Sequence, residues 1–198
     1  MNHHQQRRWL AEQAARCMSE DAIDDPSKAL RRVLARQGAT QDRRQWPEPS
    51  EILAALRDYQ RLFRGGEQAS HLMARREAAI EAMRFFAAFR PYLTGAVLEG
   101  TADAHSAVQL HLHHDDPDAL LRFLLEHDIA HRVGERRIHL DPQRLVPVPF
   151  VSFVADDIDF ELWLLPTISA RQTPLASDGR TPMCRAGLSS VVQQSIKA

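Results

Sequence analysis

The apolar residues of this chain change their spacing once, at Gly95. Upstream they recur every three or four positions. Ile52, Leu56, Tyr59 and Phe63 mark one run, and Leu72, Ala79, Ile80, Met83, Phe86 and Ala87 the next. That spacing stacks side chains along one helix face. Downstream the spacing falls to two. In "AVQLHLHH", Val108, Leu110 and Leu112 alternate with Gln109, His111 and His113, as in a strand with two unlike faces. Strand-like runs then recur to residue 165, interrupted by one helical stretch with Leu120, Leu121, Leu124 and Leu125 on its buried side. Helices first and strands after make an α+β fold: a mixed β-sheet of about five to six strands with helices packed on it, preceded by an N-terminal helical segment.

Local punctuation sets the expected boundaries. Ser50 after Pro49 opens a helix and Gly65–Gly66 ends it. A second helix runs from Ser70 to Phe89 and stops before Pro91, since proline disfavours helical geometry in the residue preceding it. "GAVLE" at 95–99 reads as a short strand. Asp116 and Pro117 read as the cap and first position of the helix that follows. "IAHRVG" and "ERRIHL" read as two strands meeting near Gly134, and "VPFVSFV" and "IDFELWLL" as a hairpin turning at 155–157. "SDGR" is a tight turn, and "LSSVVQQSI" a final short helix. Residues 7–37 read as polar helices, with Ser27 in the cap region of the second. "QGATQDRRQWPEPS" then has the glycine and prolines of a linker. The expected division is a helical N-terminal segment and linker over 1–46 and an α+β domain over 47–198.

Composition narrows the function classes. The formal net charge is -1, so there is no basic excess to hold nucleic acid, and the mixed charges of the N-terminal helices read as solvated faces. Those helices offer a surface for a protein partner. Cys17 and Cys184 are the two cysteines and form no CxxC, against a zinc–thiolate site or a disulfide framework and in keeping with a reducing cytoplasm. No apolar run approaches the roughly 20 residues of a membrane helix, and the N-terminus has no secretory apolar segment.

One stretch carries a resemblance. A helix, a short strand ending in "EGTA", a turn, Ser106 and an alternating strand resemble the core of the polymerase-β-like nucleotidyltransferase superfamily. Its pattern is a strand ending in Gly-Ser, a loop of about ten residues, Asp-x-Asp on the next strand, and a third carboxylate on a later one. The resemblance implies a mixed sheet flanked by helices. It also implies a site where glycine lets a triphosphate approach the backbone, a hydroxyl binds a phosphate oxygen, and carboxylates hold Mg2+ for in-line transfer. Carried onto this chain, Gly100 and Thr101 match the Gly-Ser pair and Ser106 the serine before the first aspartate. The aspartate positions fall on Ala107 and Gln109, which cannot bind a hard cation as carboxylates do, and the loop is shorter than the family's. Glu161 stands for the third carboxylate, with Asp159 the other choice on the same strand face. The resemblance therefore implies a degenerate member without its metal pair, binding a nucleotide or another phosphorylated ligand or serving as an interaction module. Recruitment of Asp103, Asp115 or Glu161 to Mg2+ would instead imply an active enzyme. Short bacterial chains of this look are sometimes labelled UDP-N-acetylmuramate–alanine ligases. That chemistry needs a Gly-x-x-Gly-Lys-Thr/Ser phosphate loop and several domains, and this sequence has no such loop.

Two further groups carry chemistry. His111 and His113 share a strand face and could reach one ion, with Asp115 or Glu161 completing the set; the competing reading is a polar sheet face open to water. Arg136, Arg137, Arg171, Arg180 and Arg185 could fork onto an anion, against a reading as ordinary surface charge.

Overall fold

The computed structural model describes residues 3–21, 23–37, 43 and 46–197. The chain divides into two compact units that meet between Ala69 and Ser70, whereas the composition of the linker draws the line at 46/47.

The first unit is helical. It holds α1 (His3–Asp21), α2 (Pro26–Gln37) and the first part of α3 (Pro49–Phe85). The side chain of Asp25, not Ser27, caps α2: its Oδ1 accepts the N–H of Ser27 at 2.8 Å and of Lys28 at 3.2 Å, with Pro26 at the first helical position. Leu10, Ala14 and Met18 of α1 pack with Leu30 and Val33 of α2 and Ile52 and Leu56 of α3. Arg7 donates to both carboxylate oxygens of Glu51, at 2.8 and 3.0 Å from Nε, and ties α1 to α3. The same contact holds the Glu51 carboxyl below its usual range.

The sequence predicts two helices broken at Gly65–Gly66, but α3 runs through the pair without a break. Glycine costs a helix interior about 1 kcal/mol per residue. Packing on either side outweighs this: Ile52 and Leu56 are buried in the first unit, and Ala79, Met83 and Phe86 in the second.

The second unit is built on a six-stranded mixed sheet in the order β3-β4-β5-β2-β1-β6. The strands are β1 (Tyr92–Thr94), β2 (Val108–His113), β3 (Arg132–Asp141), β4 (Arg144–Ala155), β5 (Ile158–Leu165) and β6 (Arg185–Ala186). β2 and β5 are parallel, and the other pairs are antiparallel. One face is the core. Leu93, Val108, Leu110, Leu112, Phe160 and Leu162 pack with Met83 and Phe86 of α3, with Leu120 and Leu124 of α5 (Ala119–Glu126), and with Val191 of α6 (Leu188–Lys197). This is the α+β fold with a mixed sheet that the change of spacing implies. No helix among the described residues is long and apolar enough to cross a membrane.

Several local expectations are corrected. "GAVLE" is not a strand but the short helix α4 (Gly95–Glu99), and the strand is the preceding β1. Gly95 adopts φ +71°, which ends the strand after Thr94. Gly100 closes the helical turn at φ +76°, its N–H bonding to Ala96 O. "IAHRVG" and "ERRIHL" belong largely to one strand, β3, in which Gly134 lies opposite Phe150 with no interruption. α5 starts at Ala119. Asp116 accepts the N–H of Asp118 at 2.9 Å and so braces the turn ahead of the helix rather than capping it. The hairpin turns at Asp156–Asp157, both at positive φ as such two-residue turns require. Asp178 takes the N–H groups of Arg180 and Thr181 in the expected tight turn.

Candidate functional site

The two faces of the sheet differ in kind. The face opposite the core carries Thr94 on β1, Gln109 and His111 on β2, Glu161 and Trp163 on β5, and Ser152 and Phe150 on β4. Strand register brings them side by side: Thr94 pairs with Gln109, Gln109 with Glu161, Glu161 with Ser152. Gln109 Nε2 donates to Glu161 Oε2 at 3.2 Å. Arg136 of β3 reaches the same place, with its Nη2 at 4.0 Å from Glu161 Oε1 and its guanidinium 4.2 Å from the Phe150 ring centroid. The ion pair is half exposed and contributes little to stability, as solvated pairs do.

The glycine facing this group is Gly95. A Cβ added there would run into the Gln109 carboxamide oxygen. The backbone therefore needs glycine at this point twice over, for its φ and for the close approach of a side chain. Gly100 points elsewhere: a Cβ there would lie 3.7 Å from Arg76 Nη2 on α3, the helix that packs on the core face. Burial without a matching carboxylate lowers the Arg76 pKa. Thr101 and Ser106 are both buried and serve the loop. Thr101 N donates to Ala96 O at 2.9 Å. Ser106 Oγ accepts from Asp103 N at 3.0 Å and donates to Asp103 Oδ1 at 3.0 Å. The buried Arg75 clamps the same loop by donating to Ser106 O at 2.6 Å and Ala104 O at 2.5 Å. Gly100, Thr101 and Ser106 thus form one loop with α3 on its side, while Glu161 and Gln109 stand with Gly95 on the other face.

His111 and His113 are not on an open polar face. They are 0% and 1% exposed. Burial pushes the His111 imidazole pKa down to about 3 and lowers that of His113 as well. The His113 ring nitrogen Nδ1 lies 3.0 Å from Arg90 O. Neither nitrogen of His111 has a partner among the described residues. Asp115, the nearest candidate for a third ligand in sequence, accepts the Thr167 N–H and hydroxyl at 2.9 and 2.7 Å, which lowers its pKa. Among the described residues no three His, Cys, Asp or Glu side chains come together to hold a metal ion. Of the arginines, Arg185 is turned inward. It donates to Ser169 O and Ala170 O at 2.6 and 2.8 Å and lies over the Tyr92 ring.

No local pattern in the sequence marks Gly95: its positive φ and the close approach of Gln109 come from the fold.

By fold the chain is an α+β protein with a mixed sheet. Comparison with protein-family models, curated proteins and solved structures returns no match.

Proposed function

We propose that the sheet unit is a nucleotidyltransferase-like module that has lost metal-dependent transfer and works by binding a nucleotide or another phosphorylated ligand. One observation carries the reading: the parallel pairing of β2 with β5, which sets Gln109 opposite Glu161 at hydrogen-bond distance beside Gly95. The resembled pattern requires a carboxylate pair and a third carboxylate facing one glycine. With the glycine at Gly95, the loop length also agrees. The residues at the decisive points are Ala96, Ala107 and Gln109. A hydroxyl and two carboxylates are replaced by groups that bind no Mg2+, and Glu161 alone cannot hold one for in-line transfer. Glu161 instead accepts from the Gln109 amide. Arg136 remains as a cation at the rim, suited to a phosphate oxygen.

Calorimetric titration with ATP and UTP tests this. The reading expects binding that is the same with Mg2+ and with chelator, tighter in Gln109→Ala because the space over Gly95 is cleared, and weaker in Arg136→Ala. Binding that demands Mg2+, or none by wild type and Gln109→Ala alike, refutes it.

A second reading has its own observation. In the first unit, α1 and the start of α3 enclose a groove of about 700 Å³. Ala11, Ala54 and Ala55 line it together with Tyr59 and Leu62, and Leu62 is 74% exposed. This suits a helix from a protein partner or a second copy. For self-association, light scattering should give a mass above that of one chain, falling in Leu62→Asp. A single-chain mass for both proteins argues against a second copy.

A further inference from the structure

His111 is the polar group that stability alone explains least. It is fully buried, and both its ring nitrogens lack partners among the described residues, as does Trp163 Nε1. The His111 and Trp163 rings are 5.6 Å apart. Leaving such groups unpaired costs the fold their lost hydration.

The segment after β5 packs on this side of the sheet. It runs from Pro166 through a 3-10 turn at Thr167–Ala170 and a loop to β6. The 3-10 turn packs on β2, and Met183 packs with Trp163 and Leu165. Besides the pairing of β6 with β1 and Met183 in its apolar cluster, individual bonds hold this strap. Thr167 bonds to Asp115, Arg185 donates to the carbonyls of Ser169 and Ala170, Thr94 Oγ1 donates to Cys184 O at 2.9 Å, and Leu175 N donates to His139 O at 2.7 Å.

The charges around His111 oppose its protonation while the strap is closed. β2 itself presents His113, β6 presents Arg185, β1 presents Tyr92, and Arg90 precedes β1. β5 presents Trp163, with Glu161 two residues away and bonded to Gln109. β4 presents Phe150. The 3-10 turn contributes Thr167 and Ser169, which carry no charge. In the loop, Asp178 is engaged with Thr181 and with the N–H of Arg180. The nearest full charges are thus cationic, and the one carboxylate beside the 3-10 turn, Asp115, is bound to Thr167.

We propose that the strap Pro166–Cys184, ahead of the edge strand β6, is an acid-released cover: it closes over neutral His111 and opens when that ring takes a proton. Between the closed and solvated forms, His111 basicity runs from about 3 to its ordinary 6.5. Opening should therefore be about thirtyfold more favourable at pH 5 than at pH 7.5.

Amide hydrogen exchange on the full chain, corrected for the intrinsic pH dependence, reads this directly. The amides of Ser169, Leu175 and Met183 should open about thirtyfold more at pH 5, while those of Leu110 and Leu112 on β2 stay protected. In His111→Leu the strap amides should lose most of this pH response, the remainder belonging to the buried His113. The proposal fails if strap and β2 amides respond together, if the strap does not respond, or if the response is undiminished in His111→Leu. Should that variant not fold, NMR titration of the wild-type imidazoles decides. His111 protonating only together with strap opening supports the cover, and His111 titrating near 6.5 with the strap closed overturns it.

Discussion

The two faces of β2 differ in what holds them. Val108, Leu110 and Leu112 face an apolar layer closed by α3 and α5, and each is 0% exposed. Gln109, His111 and His113, their immediate neighbours in sequence, face a layer of polar and aromatic groups of which several have no partner among the described residues. On the first face every buried atom gains from leaving water. On the second, burial leaves polar groups unpaired. Such groups are an expense to the fold, and they point to a role other than stability. The strand is thus closed by apolar packing on one side and by partly unpaired polar groups on the other.

Substitutions on the two faces should separate accordingly in denaturant unfolding. Leu110→Ala, on the closed face, should cost about 3–5 kcal/mol, the range for a large cavity in a packed core. Gly95→Ala should cost about 2–4 kcal/mol, since it adds left-handed backbone strain to a collision with Gln109. Gly100→Ala, strained but with 3.7 Å of room, should cost about 1–2 kcal/mol. Equal costs at the two glycines would break the assignment of Gly95 to the Gln109 face. Arg75→Met leaves the buried Ser106 carbonyl unpaired, with that of the exposed Ala104 open to water, and should cost about 1–2 kcal/mol. Gln109→Ala should cost less than about 1 kcal/mol, being half-buried with a single carboxylate partner. A large loss there would make the polar face a stability element after all.

Much of this contrast was legible in the sequence. The alternation through Val108–His113 set the two faces, whereas the opposition of Gln109 and Glu161 comes from the parallel pairing of β2 with β5, which no local pattern states. The hairpin at Asp156–Asp157 and the turn at Asp178–Arg180 were legible because turn chemistry is local. What was not legible lies in short or long-range features. "YLT" and "GAVLE" are too short for any period to show, so the sequence suggests a strand where the short helix lies and does not mark the strand before it. The continuity of α3 depends on packing at both ends, which the Gly65–Gly66 pair does not reveal. The burial of His111 and His113 depends on residues distant in sequence, Trp163 on β5 and Tyr92 and Arg90 before β2, and no window around the histidines contains them.

Pyrophosphate release from ATP, UTP, GTP and CTP in the presence of Mg2+ tests most directly whether the polar face binds without catalysing. The account expects no release above the blank by the wild-type protein and no difference in Glu161→Gln. Mg2+-dependent release by the wild type that disappears in Glu161→Gln would contradict it.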